Sequence, residues 1–454
     1  MISRCFLVFG LVVVSLVAQG PYGRVTGRIT DSAGAVVPGA AVKVTNLGTN
    51  VVTSTASDSQ GNYEARNLIP GQYKLVVEMQ GFRTYERGPI EVRVGDVLTV
   101  DAGLQLGVVS DSVTVTAEAP LLDSASASLG QVIDNRRVRD LPMPYANPMY
   151  LIRLATGIIS TTAPTANWAI NQPEGISGFS AAGAATSANE FTIDGAPNML
   201  NFGNVFFQPS PEMVQEFRVE TAPFDASVGH FTGALVSVVT KSGTNALHGT
   251  LNYGYNSRAF MTRQFFTNRQ IHDTASGPVT QAKIDRYFPP KTLKRPRATV
   301  SGPVYIPKVY DGRNRTFFTY SFDQHLHDYV SNPNFKTVPT AAERNGDLSA
   351  LLALGSRYQI YDPMTIAPAP GGRFSRQPLA GNIVPASRID PLAKRLLEWY
   401  PLPNATGSAD GLSNYFSSPL WHERRRNQII RVDQVVSPNH RFFLSVMPTL
   451  EDTL

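Results

Sequence analysis

What most constrains this chain is how its apolar residues are distributed after the first twenty positions. Phe6 to Ala18 is an almost unbroken apolar run of 13 residues, preceded by the single charge of Arg4. No later segment offers eighteen consecutive apolar residues. A membrane-spanning helix needs about 20, so the early run is too short for an anchor and nothing downstream replaces it. A charged start, a short apolar core and a small-residue exit at Ala18 and Gly20 read instead as a secretory signal peptide over residues 1–20. If the rest of the chain enters a bilayer, it must do so as a closed barrel of strands, because only closure pairs every backbone polar group.

The composition suits strands. With 36 Gly and 33 Pro, 42% hydrophobic residues and 17% charged ones, the chain is too apolar for disorder and too rich in turn-formers for a helical protein. A net charge of +5 over 454 residues supplies no concentrated basic face. Arg424-Arg425-Arg426 and Lys294-Arg295 read as solvated loop residues, and no nucleic-acid partner is implied. The single cysteine, Cys5, lies in the leader, so disulfides, thiolate metal sites and cysteine nucleophiles are not expected.

Residues 22–107 carry seven short alternating or β-branched runs, from GRVTGRITD to VLTVDAGLQL, separated by turn signals such as Pro38-Gly39 and Gly61-Asn62. Seven strands at this spacing predict a β-sandwich of immunoglobulin-like type, with Tyr63, Leu68, Tyr73, Leu75, Val77 and Phe82 in its core. Two stretches, GRITDSAGAVVPGAAVKVTN and DSQGNYEARNLIPGQYKLVVEMQGF, resemble the carboxypeptidase regulatory-like domain. The metallocarboxypeptidase zinc site uses a His-x-x-Glu pair and a later His, which leave one coordination position open. None of the seven histidines has Glu three residues later, and His422-Glu423 misses the HExxH pattern because Arg426 stands at its end. No catalytic residue, metal ligand or cofactor is expected. Asp194-Gly195 reads as a structural turn, having no paired carboxylate beside it.

In the linker of residues 108–122, Asp111, Ser112, Val113, Thr114, Val115, Thr116 and Ala117 look like the TonB box of outer-membrane receptors. Alternating Val and Thr form an extended strand with few side chains able to pin it to a core, fit to add to the edge of a partner's sheet. An ordinary final strand of the preceding sandwich is the other reading. Residues 123–246 resemble the α+β plug domain of such receptors, on QVIDNRRVRDLPM, NEFTIDGAPNM and the stretch from Met213 to Asn245. The pattern there predicts helix over Val132 to Leu141 and a short apolar helix from Leu151 towards Gly157, with strands at FTID and LVSVVTK. PYAN at Pro144 to Asn147 and the SVGHFTGA approach to the last plug strand depart from the usual motifs.

From residue 247 onward, aromatic strands alternate with long polar loops. In NRTFFTYSFDQ, Phe317, Thr319, Ser321 and Asp323 alternate with Phe318, Tyr320, Phe322 and Gln324. An aromatic face towards lipid and a polar face towards water are expected. These stretches, with VPTAAERNGDLSA and GNIVPASRIDPLAKRLLEWYPLPN, look like the start of an Oar-like receptor barrel; Pro391 to Tyr400 reads as an amphipathic loop helix whose apolar stripe packs against protein. Plug-containing barrels use about 22 strands, and only about five are evident in residues 247–454. The barrel is therefore expected to be incomplete, in a fragment.

The fold class read from the sequence is mainly β: an N-terminal seven-stranded sandwich, an α+β plug and an incomplete antiparallel outer-membrane β-barrel. The resemblance implies a TonB-dependent receptor with outer-membrane lipid, an extracellular ligand and the C-terminal domain of TonB as partners, and no enzyme activity. It identifies no ligand-binding residue. The competing reading is a secreted or cell-surface carbohydrate-binding sandwich, with Tyr22, Tyr63, Tyr73 and Tyr85 as stacking faces unless they are core residues.

Overall fold

Alternation of buried and exposed positions builds the N-terminal domain. In the computed structural model, which describes residues 22–107, 112–115, 129–143, 146–160, 179–200, 205–222, 231–330, 334–438 and 440–453, this domain contains eight strands before residue 107. They are β1 (Gly23–Asp31), β2 (Ala41–Asn46), β3 (Val52–Ala56), β4 (Asn62–Leu68), β5 (Gly71–Glu78), β6 (Thr84–Val92), β7 (Val97–Thr99) and β8 (Ala102–Leu104). A ninth, β9 (Ser112–Val115), follows. Residues 1–20, read from the sequence as a signal peptide, and most of the linker lie outside the described residues.

One sheet runs β4-β1-β7 with β8 also on β1, and the other runs β3-β2-β5-β6-β9. The register pairs Val42 with Val77 and Val44 with Leu75. All four are fully buried, alongside Val25, Ile29 and Leu68, and burying each such side chain is worth roughly 1.5–3 kcal/mol. The expected core residues Tyr63, Leu68, Tyr73, Leu75 and Val77 are inside, and Phe82 packs at its margin. Two details differ from the sequence reading. The last expected run divides at Val100-Asp101, where Val100 N–H donates to Thr26 O at 2.7 Å and Asp101 accepts from Arg28 N–H at 2.8 Å; β7 and β8 are thereby two successive parallel pairings along β1. Strand β6 also begins at Thr84, six residues before the expected run at Ile90. Gly61 is required for the turn into β4. Its φ is +74°, and a Cβ there would stand 2.7 Å from the Ile29 carbonyl oxygen.

The next domain begins with β10 (Leu129–Ile133) and a helix over Asn135–Asp140, whose Asp134 cap accepts from Arg137 N–H. The apolar stretch near Leu151 forms a 3-10 helix, Pro148–Leu154, capped by Asn147. Then come β11 (Ile158–Ser160), β12 (Phe179–Ala181), β13 (Glu190–Ile193), β14 (Ala196–Pro197), β15 (Val214–Ala222) and β16 (Leu235–Thr240). Five of these strands form a sheet in the order β10-β15-β16-β13-β14. Ile133, Phe191, Phe217, Val236 and Val238 fill the core between it and the helical segments.

Long strands follow: β17 (His248–Ser257), β18 (Lys291–Pro303), the small hairpin β19 (Tyr305–Ile306) and β20 (Tyr310–Asp311), and β21 (Thr316–Val330). Short pairs β22 (Asn334–Lys336) with β25 (Tyr415–Ser417), and β23 (Ala367–Ala369) with β24 (Arg373–Ser375), belong to the intervening loops. Strands β26 (Leu420–Ser437), β27 (His440–Val446) and β28 (Thr449–Thr453) complete the set. The large sheet runs β17-β18-β21-β26-β27, with β28 also on β26, and among the described residues it does not close.

The chain divides into two units. The first holds residues 1–254, 295–325 and 425–451; the second holds 255–294, 326–424 and 452–454. In the second, loops are fixed by polar caps. Thr340 and Glu343 form a reciprocal capping box, Arg388 grips Asp362 at 2.6 and 2.7 Å, and the Arg286 guanidinium lies over the rings of both Phe335 and Phe416. The amphipathic helix forms over Pro391–Glu398, but its stripe does not pack as expected: no residue of the helix is buried, and Leu392, Leu396 and Trp399 are exposed. No described helix is long and apolar enough to cross a membrane.

Candidate functional site

Three contact zones of the first unit bear on function, starting with the segment the sequence singled out. Ser112, Val113, Thr114 and Val115 pair in parallel with Thr84, Tyr85, Glu86 and Arg87 respectively. The segment is thus extended, as its Val-Thr alternation predicts, and it is the outermost strand of the sandwich sheet. Asp111, Thr116 and Ala117 lie outside the described residues.

The second zone joins the sandwich to the plug-like sheet through the turn between β6 and β7. Val94 N–H donates to the Glu216 carboxylate on β15. Arg218, also on β15, reaches Asp96 at 3.3 Å and the Val94 carbonyl at 3.4 Å, while its Nε donates to Glu220 at 3.1 Å. Val94 is fully buried. Burial pushes the Glu216 carboxyl from 4.5 up to about 8, opposed by the Val94 N–H bond and reinforced by the negative charge of Asp96.

The third zone lies between the plug-like sheet and the long strands. Arg431 on β26 is 1% exposed, although it carries a permanent charge. It grips Asp433 at 2.8 and 2.9 Å, lies 3.0 Å from the Asp194 carboxylate, and donates to Thr240 Oγ1 at 3.0 Å. Its guanidinium also covers the Phe443 ring at 4.6 Å. Asp194 occupies the expected turn, with φ of +50° followed by Gly195 at +85°, and accepts from Thr240 N–H and Oγ1 at 2.9 and 2.6 Å. Around this centre Arg297 pairs with Glu212 at 3.1 Å, Arg295 with Asp323 at 2.8 Å, and Asn427 donates to Gln208 O at 3.0 Å.

This zone corrects the expected water-facing side of β21. Thr319, Ser321 and Asp323 are buried, whereas the aromatic side is graded from partly buried Phe318 and Phe322 to exposed Tyr320. The polar face meets protein instead of solvent. Sequence reasoning missed this zone and the Glu216–Arg218 contacts. A usable signal was present in IIRVDQVV, where Arg431 and Asp433 stand two apart on one strand face among apolar neighbours. In such a strand, paired opposite charges signal a buried partner.

The tyrosines proposed as stacking faces are mostly structural. Tyr63 OH donates to Val100 O at 2.6 Å, Tyr73 OH to Ile69 O at 2.8 Å and Tyr85 OH to Asp101 O at 3.4 Å, with all three side chains buried. Tyr22 is half-buried beside Arg431; burial raises its phenol, and the guanidinium opposes that shift.

The contacts of these three zones are thus a strand edge and ion pairs between domains. Residues 24–105 match the carboxypeptidase regulatory-like domain and residues 239–453 an outer membrane beta barrel domain. The TonB-dependent transporter Oar of Myxococcus xanthus is 27% identical over 276 residues, covering 60% of this chain. The chain spans about a quarter of that relative, 24% of its length. Among solved structures, the outer membrane transporter YddB of Escherichia coli aligns with 72% of this chain and 33% of its own, at 10% identity and a TM-score of 0.41. The siderophore receptor PirA of Acinetobacter baumannii aligns with 72% and 32%, at 13% identity and a TM-score of 0.35.

Proposed function

We propose that the chain is a TonB-dependent receptor of the outer membrane and serves ligand uptake driven through contact with TonB, a reading supported by its likeness to an outer membrane beta barrel domain, a carboxypeptidase regulatory-like domain and the transporter Oar. The segment from Asp111 to Ala117 is the handle, the domain of residues 123–246 is the plug, and the ligand binds on the extracellular side. The work comes from the partner, so the proposal requires no bound cofactor.

The observation that carries this reading is the mechanical order of the chain. The extended segment Ser112–Val115 precedes β10, and β10 is the edge strand of the plug sheet, paired with β15. Tension applied at the handle reaches that edge first and peels one ladder, instead of shearing the whole sheet at once. The contacts behind it, from Arg431 to Asp194 and from Arg297 to Glu212, are ion pairs that can be broken and remade without covalent change.

The test is binding of purified TonB C-terminal domain to the full chain in detergent, compared with Val113→Pro. Proline removes a backbone donor and blocks strand addition, so binding should fall by about tenfold or more, equivalent to about 1.4 kcal/mol. Equal binding by the two chains would refute the handle assignment.

A further inference from the structure

Strand β9 ends the order β3-β2-β5-β6-β9, and among the described residues no strand pairs with its outer edge. We infer that the regulatory-like sandwich is itself part of the TonB docking surface: it holds Ser112–Val115 as its outermost strand and presents the open edge to the sheet of the partner. This rests on the handle reading above and deepens it, because that reading alone needs only a loose segment.

The argument is one of backbone geometry. Along a strand, successive residues direct their backbone N–H and C=O groups to opposite sides, so pairing with β6 uses one set and leaves the other pointing outward. A strand held in this way can accept a second strand without leaving the first. Uncovered edges are templates for pairing and are ordinarily short, charged or shielded. This one is short but borders a sheet whose outer-face charges are already paired across strands, Lys74 with Glu86 at 2.8 Å and Lys43 with Glu78 at 2.7 Å, so like-charge repulsion does not guard it. Holding the segment extended beforehand also removes the ordering entropy that a loose peptide loses on strand addition. The occupant that fits is a partner with an exposed β-sheet edge. The sandwich is in turn fastened to the plug by Val94, Asp96, Glu216 and Arg218, so a partner seated on this edge acts on a body already in contact with the plug.

The competing mechanism is capture, in which the partner must strip the segment from β6 before binding it. A disulfide between register partners separates the two. Glu86 and Thr114 are paired in the ladder, and the full chain carrying Glu86→Cys and Thr114→Cys, with Cys5→Ser, is titrated with the TonB C-terminal domain before and after oxidation. Presentation predicts that the oxidised chain binds at least as tightly as the reduced one. A loss of about tenfold or more on oxidation, reversed by dithiothreitol, overturns presentation while leaving the handle assignment intact. Undiminished binding by reduced Val113→Pro removes the handle assignment, and this inference with it. If the disulfide does not form, hydrogen exchange decides: those amides of Ser112–Val115 that pair with β6 should exchange at least about tenfold slower than an unpaired chain before TonB is added and remain slow afterwards, while the outward-facing amides slow only once TonB is bound. Unprotected exchange in the free chain overturns the inference.

Discussion

Inside the sandwich, Val42, Val44, Leu75 and Val77 of one sheet cluster with Val25, Ile29 and Leu68 of the other, with no charge among them. Where the proposed plug, with its sheet β10-β15-β16-β13-β14, meets the long strands, Arg431, Asp194, Asp433 and Thr240 meet instead. Both zones are buried, yet the first is held by area and the second by complementarity of charge. An apolar core loses its stabilisation gradually as surface is uncovered. A buried ion pair resists any single missing partner strongly, but its separated halves are well solvated if water enters. On the function proposed above, that is the behaviour required of a plug held firmly at rest and freed once a pull admits water.

The largest test of the contrast is Arg431→Met. It leaves Asp194 and Asp433 buried without their cation, and breaking a buried pair from one side costs about 3–5 kcal/mol. Thermal unfolding in detergent and exchange of the plug amides should both report a loosened plug, with the sandwich amides unchanged. Adding Asp194→Asn and Asp433→Leu should recover much of the loss, because an apolar replacement of the whole set removes the stranded charges. A plug unaffected by Arg431→Met would show that the ion cluster does not hold it.

The matching test on the apolar side is Leu75→Ala, which removes a fully buried side chain at a cost of about 2–4 kcal/mol. Here the sandwich amides should lose protection while the plug keeps its own. The two substitutions should also add, since Leu75 belongs to the sandwich core and Arg431 to a separate ion cluster. Strong non-additivity would mean that the zones unfold as one.

The sandwich was legible in the sequence because alternation decides which side of a strand is buried, and the apolar residues at Val42, Val44, Leu75 and Val77 settle it. The same logic misread β21. Thr319, Ser321 and Asp323 mark a face that shuns lipid, but alternation cannot say whether water or a polar protein surface covers it. The helix at Pro391–Glu398 shows a similar limit. Its periodicity specifies a helix and a stripe, while Leu392 and Trp399 remain exposed because nothing in a period specifies a neighbour. For Ser112–Val115 the contact is made by backbone atoms, which the side-chain pattern does not encode beyond a preference for extension.

The join between sandwich and plug sharpens the comparison through pH. Glu216 titrates near 8 in the folded protein against an ordinary 4.5. The folded state therefore binds the proton more tightly than the unfolded state. The associated stabilisation is complete below about pH 4.5 and is lost as pH rises towards 8. Each pH unit in that window is worth up to about 1.4 kcal/mol, so stability should fall by on the order of 2 kcal/mol between pH 5 and 7 relative to Glu216→Gln. Glutamine keeps an oxygen able to accept from Val94 N–H and does not titrate. Parallel pH profiles for the two proteins, measured by denaturant unfolding, would remove Glu216 as the source.

The smallest expected effect tests whether the sandwich depends on area alone. Tyr63 OH donates to the Val100 carbonyl at 2.6 Å inside the core, at the point where β7 gives way to β8. Tyr63→Phe keeps the ring and removes the donor, so the loss should be about 0.5–1.5 kcal/mol, well below that of Leu75→Ala. Val100 N–H still donates to Thr26 O, which keeps the backbone in place. Exchange should therefore quicken locally around residues 97–104, leaving β2 and β5 protected. A loss as large as that of Leu75→Ala would mean that a polar bond, as in the Arg431 cluster, also fixes the geometry of the sandwich, and the contrast between the two zones would be one of degree.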